Sequence, residues 1–122
     1  MSDKPLVSPH EGTADDLIVE DIMVGSGEAA TIGHTVLVHY VGVSASSGAE
    51  FDASWDRDEP FAFSLGGGFV IQGWDQGVVG MRVGGRRRLV IPPHLGYGDR
   101  GAGGVIAPGE TLIFVVDLLE IR

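Results

Sequence analysis

The sequence predicts a single antiparallel α+β domain. Three observations carry this reading: short β-branched runs recur along the chain, each closed by glycine or proline; only one segment repeats its apolar residues at helical spacing; and 122 residues suit one core with no room for a second.

The elements follow in order. Residues 1–16, with Pro5, Pro9 and Gly12 and few large apolar groups, read as a flexible arm ahead of a domain spanning 17–122. Residues 17–24 form a first strand closed by Gly25-Ser26-Gly27. In residues 35–43, alternation puts Val36, Val38 and Tyr40 on one face and Leu37, His39 and Val41 on the other. Short strands are expected at Glu50-Phe51-Asp52 and over residues 60–65, on either side of a charged loop, with Phe61, Phe63 and Leu65 facing one way.

Residues 70–78 carry the helical stripe, with Gly68 as its N-cap. Gly73 and Gly77 each cost about 1 kcal/mol there relative to alanine, and their spacing stacks them on one side, which implies that another backbone passes close by. Gly66-Gly67-Gly68 could cradle an anion but lacks a partner lysine, so it reads as a tight strand-to-helix turn. Residues 86–91 form a strand that begins with three arginines, read as a solvated edge, and ends at Pro92-Pro93. Residues 111–121 form a long last strand with Leu112, Phe114, Val116 and Leu118 on one face. On the other, Ile113, Val115, Leu119 and Ile121 mark either a surface covered by neighbours or the arm, or a self-association face. The irregular residues 94–110 between these strands are rich in glycine, and loops of that length tend to be functional.

Charge and composition exclude several functions. The net charge of −9 opposes nucleic-acid binding, and two-thirds of it falls in the first 28 residues, where seven acids face Lys4 alone. Zero cysteines exclude disulfides, thiol nucleophiles and thiolate metal sites. No strong apolar run nears the roughly 18 residues of a membrane span. Met1 to Pro5 shows no signal-peptide pattern, so a cytoplasmic protein is expected. No nucleophile elbow, phosphate loop or zinc-helix motif is present. His34 and His39 point to opposite faces of one strand, and no metal or cofactor is expected. The acids Asp52, Asp56, Asp58 and Glu59 surround Arg57 and read as a solvated, ion-paired loop. Aromatic residues are the distinguishing chemistry. Eight of the nine (Tyr40, Phe51, Phe61, Phe63, Phe69, Trp74, Tyr97 and Phe114) are spread over every segment, as in a core that also lines an apolar pocket.

Six motifs, in order, carry a family resemblance: Val38-His39-Tyr40-Val41-Gly42, Phe51-Asp52-Ala53-Ser54, Pro60-Phe61-Ala62-Phe63, Val70-Ile71-Gln72-Gly73-Trp74, Ile91-Pro92-Pro93-His94-Leu95-Gly96-Tyr97-Gly98 and Thr111-Leu112-Ile113-Phe114. Residues 17–122 thereby resemble the FK506-binding proteins, the FKBP-type peptidyl-prolyl cis-trans isomerases. The resemblance implies a twisted antiparallel sheet of five to six strands wrapped around one short helix. It also implies a catalytic pocket with Trp74 as floor, Tyr40, Phe51, Ile71 and Phe114 as walls, and Asp52 and Tyr97 as polar members. Substrate or macrolide contacts are implied for Arg57, Phe61, Phe69, Val70, Val105 and Ile106, with Val105 and Ile106 in an overhanging loop. The partners implied are proline-containing peptides, protein clients and FK506- or rapamycin-type macrolides, with a monomer expected. Two positions depart from the family pattern: Phe69 replaces a common acid, and Ala102 stands where the best-known member has histidine. The loop is also too short for the chaperone flap of some bacterial relatives.

Overall fold

The computed structural model describes residues 4–10 and 14–122. Six strands form: β1 (Ile18–Met23), β2 (Thr35–Ser44), β3 (Glu50–Ala53), β4 (Phe61–Ser64), β5 (Arg86–Ile91) and β6 (Leu112–Ile121). They make one antiparallel sheet in the order β1-β5-β6-β2-β3, and β4 pairs with β2 beyond β3. The one α-helix of the described residues, α1, spans Gln72–Gly77 and lies on the inner face of this sheet.

Alternation decides which residues reach that face. Val36, Val38 and Tyr40 of β2, Leu89 and Ile91 of β5, and Leu112, Phe114, Val116 and Leu118 of β6 pack with Trp74 and Val78 into the main core. The helix glycines have a close neighbour, but it is a pair of β5 side chains rather than the backbone their spacing implied. A Cβ on Gly73 would fall 2.5 Å from Ile91 Cγ2, and one on Gly77 would fall 2.8 Å from Leu89 Cδ2, so β5 crosses where the helix has no side chains.

The helix is shorter than its apolar stripe. Ile71 has extended ψ (150°) and is its N-cap, so Val70 and Ile71 belong to the approach rather than to a helical face, and Gly68 does not cap it. Gly68 serves Asp75 instead. The Gly66 and Gly68 N–H groups donate to the two Asp75 carboxylate oxygens at 2.9 and 3.0 Å, while both glycines hold positive φ (81° and 77°). The anion in this glycine cradle is therefore a side chain of the helix that follows. Asp75→Ala is expected to cost about 2–3 kcal/mol, the range for paired hydrogen bonds to a charged group, and Asp75→Asn about half of that because one acceptor remains. Urea denaturation checks both.

The arginine triplet is not a solvated edge, because β5 lies between β1 and β6. Pairing and alternation send the three side chains to separate tasks. Arg86 faces outward onto Asp117, with contacts at 2.6 and 3.1 Å. Arg87 faces inward, pairs with Asp21 and donates to the Gly77 and Val79 carbonyls at 2.9 and 3.0 Å, which satisfies the C-terminal end of α1. Arg88 faces outward, pairs with Glu20 and donates to the Ser8 and Pro9 carbonyls.

The outer face is covered where the arm crosses it. Val7 and Ala14 pack on Val41, Val43, Val90 and Ile113, and the Ala14 N–H donates to Thr111 Oγ1 at 3.2 Å. Lys4 reaches Glu50 at 2.8 Å and Asp56 at 2.7 Å. Of the two alternatives for the apolar outer residues of β6, the described part of the arm thus supplies a cover for Ile113, whereas Ile121 is not an outer residue: a bulge at Leu119 shifts the register and turns it onto the main core. Residues 1–3 and 11–13 of the arm lie outside the described residues.

Candidate active site

At the open side of the core, where β2, β3 and β4 meet the approach to α1, the side chains enclose a pocket of about 200 Å³. Its floor is Trp74, 4% exposed, which meets Phe114 edge-on at 5.3 Å and Tyr40 edge-on at 4.9 Å. Phe51 stands against Phe114 at 5.5 Å, also edge-on. These contacts set positive ring edges on negative ring faces, which orders the walls beyond simple area burial. Space for the Phe51–Phe114 pair comes from Gly42 in mid-strand, where a Cβ would lie 2.6 Å from Phe114 and 2.7 Å from Phe51. Gly42 was missed in the sequence as a site residue, although a lone glycine inside a strand pattern is the signal for such a close approach.

Phe61, Phe69, Val70 and Ile71 complete the apolar wall, with Asp52 and Tyr97 as polar lining. Arg57 does not line the pocket but fixes its polar corner. Its guanidinium donates to Asp52 Oδ1 at 2.6 Å and to the Tyr40 hydroxyl at 2.8 Å, while that hydroxyl donates to Asp52 Oδ2 at 2.6 Å. The left-handed turn at Asp58 (φ 50°) closes the 3-10 turn Ser54–Arg57 that carries this arginine. Behind it, the fully buried Ser54 hydroxyl takes the Tyr40 N–H at 2.7 Å, and Trp55, the one aromatic outside the pocket and the main core, stacks on His39 at 4.1 Å and packs against the outer-face cluster.

Two members of the overhang lie off the lining. Val105 stands at the loop tip, 62% exposed and off the lining, and Ile106 is 5% exposed within the main core. The reason is a small hairpin: Ala102 and Ile106 exchange backbone hydrogen bonds of 2.9 and 3.0 Å, and Gly103 and Gly104 turn between them at φ 53° and 77°. That closure directs Ile106 inward and leaves Val105 at the turn.

Electrostatics keep each polar group in one state near neutrality. Burial pushes the Asp52 carboxyl up, but the hydrogen bonds from Tyr40 and Arg57 outweigh it and hold it below its ordinary 3.8. The Tyr40 hydroxyl is raised above 10.0, first by burial and then by Asp52. Burial, then the Asp52 charge, does the same for Tyr97. A lowered carboxyl stabilises the fold above its unfolded value and loses that contribution as pH falls through the folded value; a raised phenol contributes below 10.0 and loses it as pH rises. Pocket function is therefore expected to be flat between about pH 5 and about pH 9, with both limbs outside that window, as a pH profile of kcat/KM with stability measured in parallel will show.

Two donors remain uncommitted. The Tyr97 hydroxyl and the Ile71 N–H make no hydrogen bond to any described residue, and both belong to residues that line the pocket. An aromatic chamber with two free donors and a preset acid corner is suited to a neutral, carbonyl-bearing ligand and does not supply a nucleophile.

Such a one-helix antiparallel domain with an aromatic chamber defines a class of binding and isomerising proteins. Residues 26–119 match the sequence profile of the FKBP-type peptidyl-prolyl cis-trans isomerases. The chain is 65% identical over 107 residues to an FK506-binding protein of Streptomyces anulatus, covering 87% of this chain and 86% of that one. It is 48% identical over 119 residues to a probable FK506-binding protein of Corynebacterium glutamicum, covering 97% and 98%. Among solved structures it resembles AtFKBP13 (TM-score 0.80, 40% identity, 87% of this chain and 93% of that one) and Escherichia coli FkpA (TM-score 0.80, 39% identity, 99% and 54%). The chain belongs to the FKBP-type peptidyl-prolyl cis-trans isomerase family.

Proposed function

We propose that the aromatic pocket rotates Xaa-Pro peptide bonds of protein clients without forming any covalent bond. The carrying observation is the pair of free donors, Tyr97 O–H and Ile71 N–H, at a chamber with an apolar floor. Rotation about the amide meets a barrier of about 18–20 kcal/mol because it breaks resonance. The twisted amide loses much of its charge separation, so it gains from an apolar, water-poor enclosure that the planar, more polar ground state does not favour. Ile71 and Tyr97 hold the neighbouring carbonyls while the bond turns, and Arg57 keeps Asp52 and Tyr40 fixed around them. Lowering the barrier by about 5 kcal/mol corresponds to nearly four powers of ten in rate.

The same donors suit the carbonyls of an FK506-type macrolide, and the names of the relatives support that ligand for this chain. Acceleration of cis-trans exchange in an Ala-Leu-Pro-Phe peptide, blocked by stoichiometric macrolide, tests both statements; no acceleration at micromolar protein refutes catalysis. Tyr97→Phe should lower kcat/KM severalfold with the melting temperature unchanged, because its hydroxyl holds no part of the fold. The arm's cover over Ile113 supports a monomer, which light scattering checks.

A further inference from the structure

The pocket continues past its own rim. Phe61 and Phe69 also line a shallower groove with Thr35, Ala62, Phe63 and Ser64, so the two cavities share a wall. This groove wraps the outer edge of β4, which pairs with β2 on one side only.

Alternation determines what the edge offers. The Leu65 N–H donates to the His34 carbonyl, so Leu65, Phe63 and Phe61 turn their backbone groups toward β2, while Ala62 and Ser64 turn theirs away. The Ser64 carbonyl accordingly takes the Gly67 N–H at 3.4 Å. The Ala62 N–H and carbonyl and the Ser64 N–H are left facing the groove with no partner among the described residues. Phe61, 38% exposed, and Phe69, 76% exposed, flank them. Phe69 is seated by a glycine: a Cβ on Gly67 would come within 2.7 Å of its ring. No residue of the groove lining carries a charge.

An unpaired strand edge between exposed rings binds an extended chain by adding a strand, with backbone hydrogen bonds for affinity and apolar side chains for selectivity. We propose that the β4 edge, with Phe61 and Phe69, is a subsite for an extended apolar segment of the substrate chain immediately beside its Xaa-Pro bond. The shared wall argues for this occupant, since a peptide whose proline sits over Trp74 can run from the pocket straight into the groove across Phe61 or Phe69. Four strand residues at about 3.3 Å each accept three or four peptide residues. The proposal rests on the isomerase reading.

The experiment compares kcat/KM of the unaltered protein for Ala-Leu-Pro-Phe with that for the same peptide extended by Val-Thr-Val on its N-terminal or its C-terminal side, and for each extension N-methylated at all three residues. One of the extensions should raise kcat/KM at least fivefold, and N-methylation should abolish the gain because it removes the donor for the Ala62 carbonyl and its methyl groups block the close approach of a paired strand. The subsite is overturned if neither extension gives a gain, or if the gain survives N-methylation. Failure on the short peptide itself refutes the isomerase reading instead, so the two failures are distinguishable.

Discussion

Trp74→Ala is expected to lower kcat/KM by more than tenfold and to destabilise the fold by about 3–5 kcal/mol, the range for truncating a buried aromatic side chain. The effect is double because this ring is both the pocket floor and a member of the main core, touching Tyr40, Phe61, Phe63 and Phe114. Trp74→Phe separates the two roles. The Trp74 indole N–H is buried with no hydrogen-bond partner among the described residues, a state that costs about 1–3 kcal/mol, so phenylalanine loses area but removes an unsatisfied donor. Its stability loss should therefore be under half that of alanine, while the shallower floor still reduces turnover. Denaturation curves beside peptide exchange rates check the pair. Equal stability losses for the two variants would show that the indole N–H carries no penalty.

Asp117→Ala is the second large effect. Asp117 is fully buried at the centre of the sheet, on the face away from the pocket, and both its oxygens meet Arg86, whose side chain is only 19% exposed. Removing one partner of a buried pair leaves the other charge desolvated, at about 3–5 kcal/mol, which is a large part of a typical stability of about 5–15 kcal/mol. A double-mutant cycle with Arg86→Met isolates the pair itself. A cost below about 1 kcal/mol, as for a surface ion pair, would show that the sheet centre tolerates loss of the Asp117 carboxylate. Unlike Trp74→Ala, the folded fraction of this variant should keep its catalytic rate.

Much of the architecture was legible because it is written in short-range pattern. The faces of β2, and of β6 as far as Leu118, follow from strict alternation, and Gly73 and Gly77 signalled a close neighbour on one side of the helix, although that neighbour is the Ile91 and Leu89 side chains rather than a backbone. The aromatic lining was reached through the resemblance, and ten residues including Trp74, Tyr40 and Phe114 do surround the pocket. What escaped was set by contacts distant in sequence or by backbone geometry. Periodicity could not tell that Val70 and Ile71 lie in an extended approach, because an apolar pair looks the same on a pocket rim as on a helix face. Nor could three consecutive arginines reveal partners as separated as Asp117, the Gly77 carbonyl and the Ser8 carbonyl. That Ile106 joins the main core could not be read either, because a backbone bridge to Ala102, invisible in composition, turns it inward.

The rings that enclose the pocket are also the rings that hold the sheet to its helix: Trp74, Phe114 and Tyr40 are 4%, 4% and 7% exposed. Reshaping the chamber from within therefore erodes the domain that contains it. Phe69 and Tyr97, at 76% and 40% exposed, carry no such obligation. Mutational drift in ligand preference has its cheap routes only through that rim, and a library that randomises those two positions should yield folded proteins with altered selectivity far more often than one that randomises the floor.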